Sequence, residues 1–323
     1  MNETGLLGAG WSAVRRNIRY IVWFWLLSLV LARLGSLVFK NQVSAILDNS
    51  LHADRLVHGF NLVTLIELFS LPQTGSMPAM AAPVHASAVL FALATLFLMP
   101  GVLRQYTSDH RVARDEFFRT CGRNLWRFVR LTLMYVLFAG PIAGILFAIR
   151  NGLGTLADKS LEELLPFWVG TLMLLLIFLV MTMVRIWFDL AEVDVVVRDQ
   201  NAVRKSVANG FRYAWRFLGK LLSSYVAISL FALIVLLGGI WLWYVAVPSS
   251  SVAGAWLISQ IMLFLWLVAR FWQRAVAAAF YMREMLVAPS YSPFRAPEPG
   301  AAVPAPPAPG APPVPPAPLP NPS

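Results

Sequence analysis

Hydrophobic and polar positions along this chain fall into long blocks rather than a short alternation. Six apolar runs of about twenty residues stand out, near 20–39, 86–103, 128–149, 167–188, 221–247 and 253–280. At a rise of 1.5 Å per residue, such a run covers the roughly 30 Å hydrocarbon core of a bilayer. The pattern therefore predicts an all-α integral membrane protein with about six transmembrane helices. Gly140 and Pro141 predict a kink in the third.

Composition leads to the same class of protein. Of the 323 residues, 58% are hydrophobic and only 13% are charged, whereas a soluble domain carries roughly 25% charged residues. In a soluble protein, the net charge of +10 would suggest that the binding partner is a nucleic acid. Here the basic residues adjoin the apolar runs, so the predicted partners are anionic lipid head groups and no nucleic acid.

The distribution of Lys and Arg predicts the orientation. The loops on one side of the predicted bundle carry 21 basic residues and those on the other side carry four. Because basic loops stay in the cytoplasm, both termini are predicted to be cytoplasmic, in a bacterial inner (plasma) membrane. An even number of crossings also requires the termini to share a side.

Two segments do not fit the six-helix pattern. The stretch 56–72 is apolar but contains His58, Asn61 and Glu67, which favours an interfacial helix on the outer leaflet over a seventh crossing. From Pro289 onward the chain holds 15 of its 22 prolines, which predicts an extended or disordered tail. The predicted domains are thus a transmembrane domain, 1–288, and a Pro/Ala-rich tail, 289–323. The tail is a tolerated extension or a docking segment for a protein partner.

An internal repeat precedes two of the apolar runs. Residues 123–128 read RNLWRF and residues 212–217 read RYAWRF. Both stretches have basic residues on one face and apolar residues on another, which predicts cytoplasmic amphipathic elbow helices, each followed by a membrane hairpin. A weaker third copy opens the chain around Trp11, so the hairpins are predicted to be pseudo-repeated.

Basic residues of the elbows are the candidate binding residues, because Arg and Lys at the membrane surface contact lipid phosphates. The alternatives are that the elbows only anchor the bundle, or that they form a specific lipid pocket. The predicted head-group contacts are Arg119, Arg123, Arg127, Arg130, Arg212, Arg216 and Lys220.

Charges inside the apolar runs are the other candidates. Arg33 lies within the first run, where a charge is costly and suggests function, although its side chain can also reach the interface. The carboxylates of 185–199 are predicted either to form a proton relay or to neutralise neighbouring arginines. We favour the second alternative. Because the chain has a single cysteine and four scattered histidines, it is predicted to bind no metal or other cofactor. It contains no nucleophile motif, so it is predicted not to be an enzyme.

The segment 195–222, VVVRDQNAVRKSVANGFRYAWRFLGKLL, resembles the cytoplasmic elbow of bacterial families grouped with the membrane domain of glycerophosphoryl diester phosphodiesterase. The segment 116–131 resembles it as well. The resemblance covers roughly residues 10–285 and implies a six-helix membrane domain without a catalytic centre. No residues are left for the phosphodiesterase barrel, so hydrolase activity is not implied.

The function predicted from these observations is a non-catalytic membrane scaffold or lipid-facing accessory protein. The alternative is a small-solute or lipid transporter, or a permease component, with its site near Arg33 and the Gly140–Pro141 kink.

Overall fold

The computed structural model describes residues 5–47, 77–108, 110–159, 164–248 and 251–286, and over this part of the chain it contains helices and no strand. The helices are α1 Leu6–Arg16, α2 Ile18–Leu47, α3 Met77–Thr107, α4 Arg114–Ala157, α5 Leu165–Arg198, α6 Val203–Arg216, α7 Leu218–Ala246 and α8 Val252–Tyr281, which is followed by a π-helical turn, Met282–Leu286. The stretch 56–72 and the proline-rich tail lie outside the described residues.

The prediction of an all-α protein with six membrane-length helices is confirmed. Within the described ranges, α2, α3, α4, α5, α7 and α8 are each long and apolar enough to cross a membrane. Several are longer than the apolar runs alone: α4 has 44 residues and α5 has 34. Their helical conformation continues through the charged stretches 114–130 and 185–198, because those stretches keep helical periodicity and contain no proline.

Three of the long helices form the centre of the bundle. α3, α5 and α8 contact one another, and α8 also contacts α1, α2 and α7. α2, α4 and α7 pack around this group, and each of them precedes one of the central helices in the chain. The short helices α1 and α6 lie against α8 and α5, respectively.

The two ends of the bundle differ in packing. The packed end comprises α1, α6, the first parts of α2, α4 and α7, and the last parts of α3, α5 and α8. It holds most of the buried side chains, such as Phe128, Leu190 and Tyr281. The exposed end comprises the other halves of the long helices. Its leucines and isoleucines are largely uncovered, and Leu137 and Ile234 are 69% and 63% exposed.

Short and long helices meet at two similar breaks in the packed end. α1 ends at Asn17, with φ −120° and ψ 26°, and α6 ends at Phe217, with φ −117° and ψ 26°. A new helix begins at the next residue in both places. At Asn17 the side-chain Nδ2 donates to the Ala13 carbonyl oxygen, and Gly219 lowers helix propensity just after Phe217.

The segment 116–131 has no such break. It is continuous with the rest of α4, because residues 125–139 contain no glycine, asparagine or proline that would interrupt the helix. Pro141 is also accommodated inside α4.

Candidate lipid head-group interface

The apolar face of α6 packs against protein. Val203, Val207 and Ala214 are buried, and α6 contacts α5 closely at Gly210. A Cβ there would lie 2.8 Å from the Trp187 carbonyl oxygen. The Trp187 indole donates to the carbonyl oxygen of Val207 at 2.6 Å. These contacts fix α6 to the end of α5.

α1 is held on α8 by the same kind of contact. Gly10 faces Val276, and a Cβ at Gly10 would lie 2.5 Å from the Val276 Cγ2. The Trp272 indole donates to the Leu7 carbonyl oxygen at 3.0 Å. In both pairs the carbonyl acceptor lies three residues before the close-packed glycine.

The first turns of α4 lie against α3 in a third close contact. Here the glycine is on the long helix: a Cβ at Gly101 would lie within 2.7 Å of Phe117 and Cys121. Cys121 is buried, and its Sγ is 3.8 Å from the Leu98 carbonyl oxygen. The beginning of α4 is therefore packed on one side, as α1 and α6 are.

On the opposite, outward side, each of these stretches presents aromatic and basic side chains together. Trp126 and Trp215 are both 62% exposed. The guanidinium of Arg130 lies 5.4 Å from the ring centre of Trp126. Exposed indoles beside basic residues are typical of the membrane–water interface.

Two of the sequence-predicted arginines are joined to the turn between α5 and α6. Arg127 donates to Asp199 and Asn201, and Arg123 lies 3.4 Å from the Asp199 carboxylate. The hydrogen bond from Arg127, with the positive charge of Arg123, holds the pKa of Asp199 below its ordinary value. Asp199 adopts a left-handed conformation, with φ 52°. These arginines thus have a structural role in addition to any contact with lipid.

The other predicted basic residues lie on the surface of the packed end. Arg119, Arg130 and Arg212 are exposed. Arg216 is also exposed and lies over the Phe217 ring. Lys220 donates to Glu284 at 2.9 Å, so part of its charge is neutralised.

Arg33 and the Gly140–Pro141 pair are separate from this interface. Arg33 is exposed on the second half of α2. Gly140 is exposed on α4, and no atom outside its own helix lies within 4 Å of where its Cβ would be. The structure places both on outward-facing surfaces and records no contact between them among the described residues.

Two carboxylates of 185–199 are buried and lie beside arginines of the same helix. Asp189 lies 3.7 Å from Arg185, and Asp194 lies 3.3 Å from Arg198, so the favoured prediction that they neutralise nearby arginines is confirmed for these two.

Partners from α7 and α8 were not predicted from the sequence. Tyr225 donates to Asp189 at 2.8 Å, and Tyr281 donates to Asp194 at 2.5 Å. Arg274 pairs with Glu192 at 3.4 Å. The only hint of these contacts in the sequence was the presence of two polar residues, Gln273 and Arg274, within the apolar run of α8.

Two grooves open between these elements. Groove 1, of about 610 Å³, has Leu133, Met134 and Leu137 along one wall and the start of α6 at the other, with Arg130 and Arg204 in its lining. Groove 2, of about 490 Å³, is lined by aromatic residues of α2 and α4 together with two arginines. Its main lining residues are Arg19, Trp23, Phe24, Arg114, Phe117 and Phe118.

Comparison with protein-family models, curated proteins and solved structures finds no match for this chain. The resemblance to the phosphodiesterase membrane domains therefore stays a prediction. Within the described part of the chain, no group of three or more His, Cys, Asp or Glu residues is arranged to hold a metal ion.

Proposed function

We propose that this chain is a non-catalytic membrane scaffold or lipid-facing accessory protein whose packed end binds anionic lipid head groups. The observation that carries the proposal is the pairing of exposed tryptophans with arginines on the outward face. Trp126 and Trp215 are exposed to the same extent, although the opposite faces of their helical segments are buried in protein. Exposed aromatic rings beside cations suit the interface better than they suit bulk water.

The position of the basic residues supports the same proposal. On three of the long helices, a basic residue stands near the point where the packed end gives way to the apolar, exposed end. These residues are Arg130, Arg185 and Arg270. We infer that they mark the head-group level of one leaflet. Beyond them α5 retains twenty residues, Leu165 to Val184, which span about 30 Å.

The inferred leaflet is the cytoplasmic one of a bacterial inner membrane, because most Lys and Arg residues are on this side. Cys121 is the chain's sole cysteine and is buried, so a cysteine introduced at the exposed position 119 (Arg119→Cys) can be labelled selectively. In intact cells, a maleimide that does not cross membranes is expected to leave it unlabelled until the membrane is opened. Labelling in intact cells would contradict the orientation.

Fluorescence quenching in nanodiscs tests the lipid preference. The quenchers are phospholipids that carry bromine near the head group. Brominated phosphatidylglycerol is expected to quench the tryptophan fluorescence of the chain more strongly than brominated phosphatidylcholine does. The difference is expected to shrink in high salt, because surface charges are screened, and to be smaller in the double variant Trp126→Phe/Trp215→Phe. Trp241→Phe is the control: this residue is 65% exposed at the apolar end, so the variant is expected to retain the preference. Equal quenching by both lipids would overturn the proposal.

The solute-transport alternative stays a prediction. It requires that Arg33→Leu abolish transport while the yield of folded protein is unchanged.

A further inference from the structure

Grooves 1 and 2 occupy corresponding places in the chain. Arg19, in groove 2, lies two residues after Asn17, where α1 ends. In the alignment of RNLWRF with RYAWRF, Phe128 corresponds to Phe217, where α6 ends. Arg130, in groove 1, lies two residues after Phe128. One arginine of each groove therefore stands at the start of a membrane crossing, at the same distance from the elbow.

The second arginine of each groove comes from the first turn of the next amphipathic stretch. Arg114 is the first residue of α4 and lines groove 2. Arg204 is the second residue of α6 and lines groove 1. Both stand where unpaired backbone N–H groups and the helix dipole add to the attraction for an anion.

The two arginines at the crossings share a further feature. The guanidinium of Arg19 lies 4.8 Å from the ring centre of Tyr20, and that of Arg130 lies 5.4 Å from that of Trp126. A guanidinium stacked on a ring keeps its in-plane N–H donors, of which Arg has five. Arg19 uses one of its donors on the Tyr20 hydroxyl. Each arginine is thus oriented by an aromatic ring while most of its donors stay available.

Each groove also has an apolar wall next to its arginine pair. Leu133, Met134 and Leu137 supply it in groove 1, and Trp23 and Phe24 contribute to it in groove 2. Both walls lie on helices that continue into the exposed, apolar end of the bundle. Neither lining, as the structure describes it, includes a carboxylate. A ligand complementary to both parts carries a negative charge at one end and hydrocarbon at the other.

We propose that grooves 1 and 2 are two copies of one binding site for an anionic glycerophospholipid. The phosphate lies between the two arginines of a groove, and the first acyl carbons lie along its apolar wall. Volumes of this order are within the usual range of small-molecule sites, about 300–1,000 Å³. This inference rests on the proposed function, since it names the lipid and the places where the head-group interface binds it.

The third corresponding position differs. After the break at Phe217, the residue two positions on is Gly219, where the other two elbows have arginine. The neighbouring Lys220 is paired with Glu284. The proposal therefore predicts two tightly held anionic lipids per chain rather than three.

Native mass spectrometry of the full chain released from phosphatidylglycerol nanodiscs tests the proposal. We expect two retained phosphatidylglycerol molecules. Arg130→Gln/Arg204→Gln is expected to retain one, and so is Arg19→Gln/Arg114→Gln, with binding at the altered groove weakened about tenfold or more. The control Arg16→Gln/Lys205→Gln removes two exposed basic residues that line neither groove and is expected to retain two.

The outcomes separate this inference from the proposed function. If the control loses lipid to the same extent as the groove variants, binding is diffuse and the two-site inference is overturned, while the head-group interface stands. If phosphatidylcholine is retained as well as phosphatidylglycerol, the anionic site is overturned. If the quenching experiment shows no preference for the anionic lipid, the proposed function itself fails. Thermal unfolding of each variant in detergent identifies any that lose lipid only because they misfold.

Discussion

The packed end and the exposed end are built from the same helices, yet they are held together differently. In α4, Phe128 is 1% exposed, whereas Leu137, nine residues later, is 69% exposed. Only 6% of the most apolar stretch of α4 and of α7 is buried, although such residues would form the core of a soluble protein. In lipid, apolar side chains gain little by leaving hydrocarbon for protein, so helices there need not pack tightly. In water the hydrophobic effect favours burial of apolar side chains, and the core is found at the end of the bundle that also carries the charged stretches.

Electrostatics separates the two ends in the same way. The described ion pairs, including Asp189–Arg185, Glu192–Arg274 and Lys220–Glu284, are in the packed end. The packed end therefore combines a core with an ionic network. Substitutions are therefore expected to change the stability of the protein strongly in the packed end and weakly in the exposed end.

The largest expected effect comes from breaking a buried pair. Glu192→Leu leaves Arg274, whose side chain is 18% exposed, without its carboxylate. Loss of one partner of a buried ion pair costs about 3–5 kcal/mol, so we expect thermal unfolding in detergent at a markedly lower temperature. The double variant Glu192→Leu/Arg274→Leu is expected to recover most of the loss. If the single and double variants were equally unstable, the pairing would not be the cause.

A smaller effect is expected at the contact between α6 and α5. Gly210→Ala places a methyl group 2.8 Å from the Trp187 carbonyl oxygen. Because the neighbouring atoms are backbone, overpacking is expected to cost about 1–3 kcal/mol, measured as the free energy of unfolding in detergent.

Gly144 provides the matched control at the exposed end. It is helical, and no atom outside its own helix lies within 4 Å of its Cβ position. Gly144→Ala is expected to be neutral or stabilising, because alanine favours helix over glycine by about 1 kcal/mol. Equal destabilisation by the two substitutions would refute the distinction between the ends.

The smallest effect concerns Asp199 and is visible only in acid. Because its pKa is lowered in the folded protein, its pairing with Arg127 stabilises the fold above the ordinary carboxyl pKa and is lost as pH falls through the lowered value. Pairs as exposed as this one contribute less than about 1 kcal/mol. Unfolding temperatures across the acid range should therefore show a shallow decline that Asp199→Asn lacks. Asparagine tolerates the left-handed backbone at this position, so an identical decline in the variant would contradict the assignment.

Much of the architecture follows from local pattern. Long apolar runs predict the number of crossing helices, because every backbone polar group in lipid must be bonded within its own helix. The exact helix ends were less predictable: the run at 128–149 extends to Arg114–Ala157, because charged residues with helical spacing prolong a helix without adding to its hydropathy. An amphipathic stretch was predicted near 116–131, but its continuity with the rest of α4 was not.

The candidate site also combines features that follow from local sequence pattern with features that depend on tertiary contacts. Clustered arginines at 119–130 and 212–216 identify a basic surface, because their spacing brings them to one face. Which of them pair with Asp199, and which line a groove, depends on contacts between residues more than seventy positions apart. No local pattern contains that information. The pairing of Arg274 with Glu192 was missed for the same reason.

By itself, the sequence determined that this chain forms helices long and apolar enough to cross a membrane, with positive charge concentrated beside the apolar stretches, since hydropathy and charge act at each residue regardless of its distant neighbours. Tertiary structure alone decided which end of the bundle carries the core, how the buried acids are neutralised, and where arginines from separate helices meet at an apolar wall. These features depend on close approach between helices, and that approach is set by small residues such as Gly10, Gly101 and Gly210, where the absence of a side chain lets two helices touch.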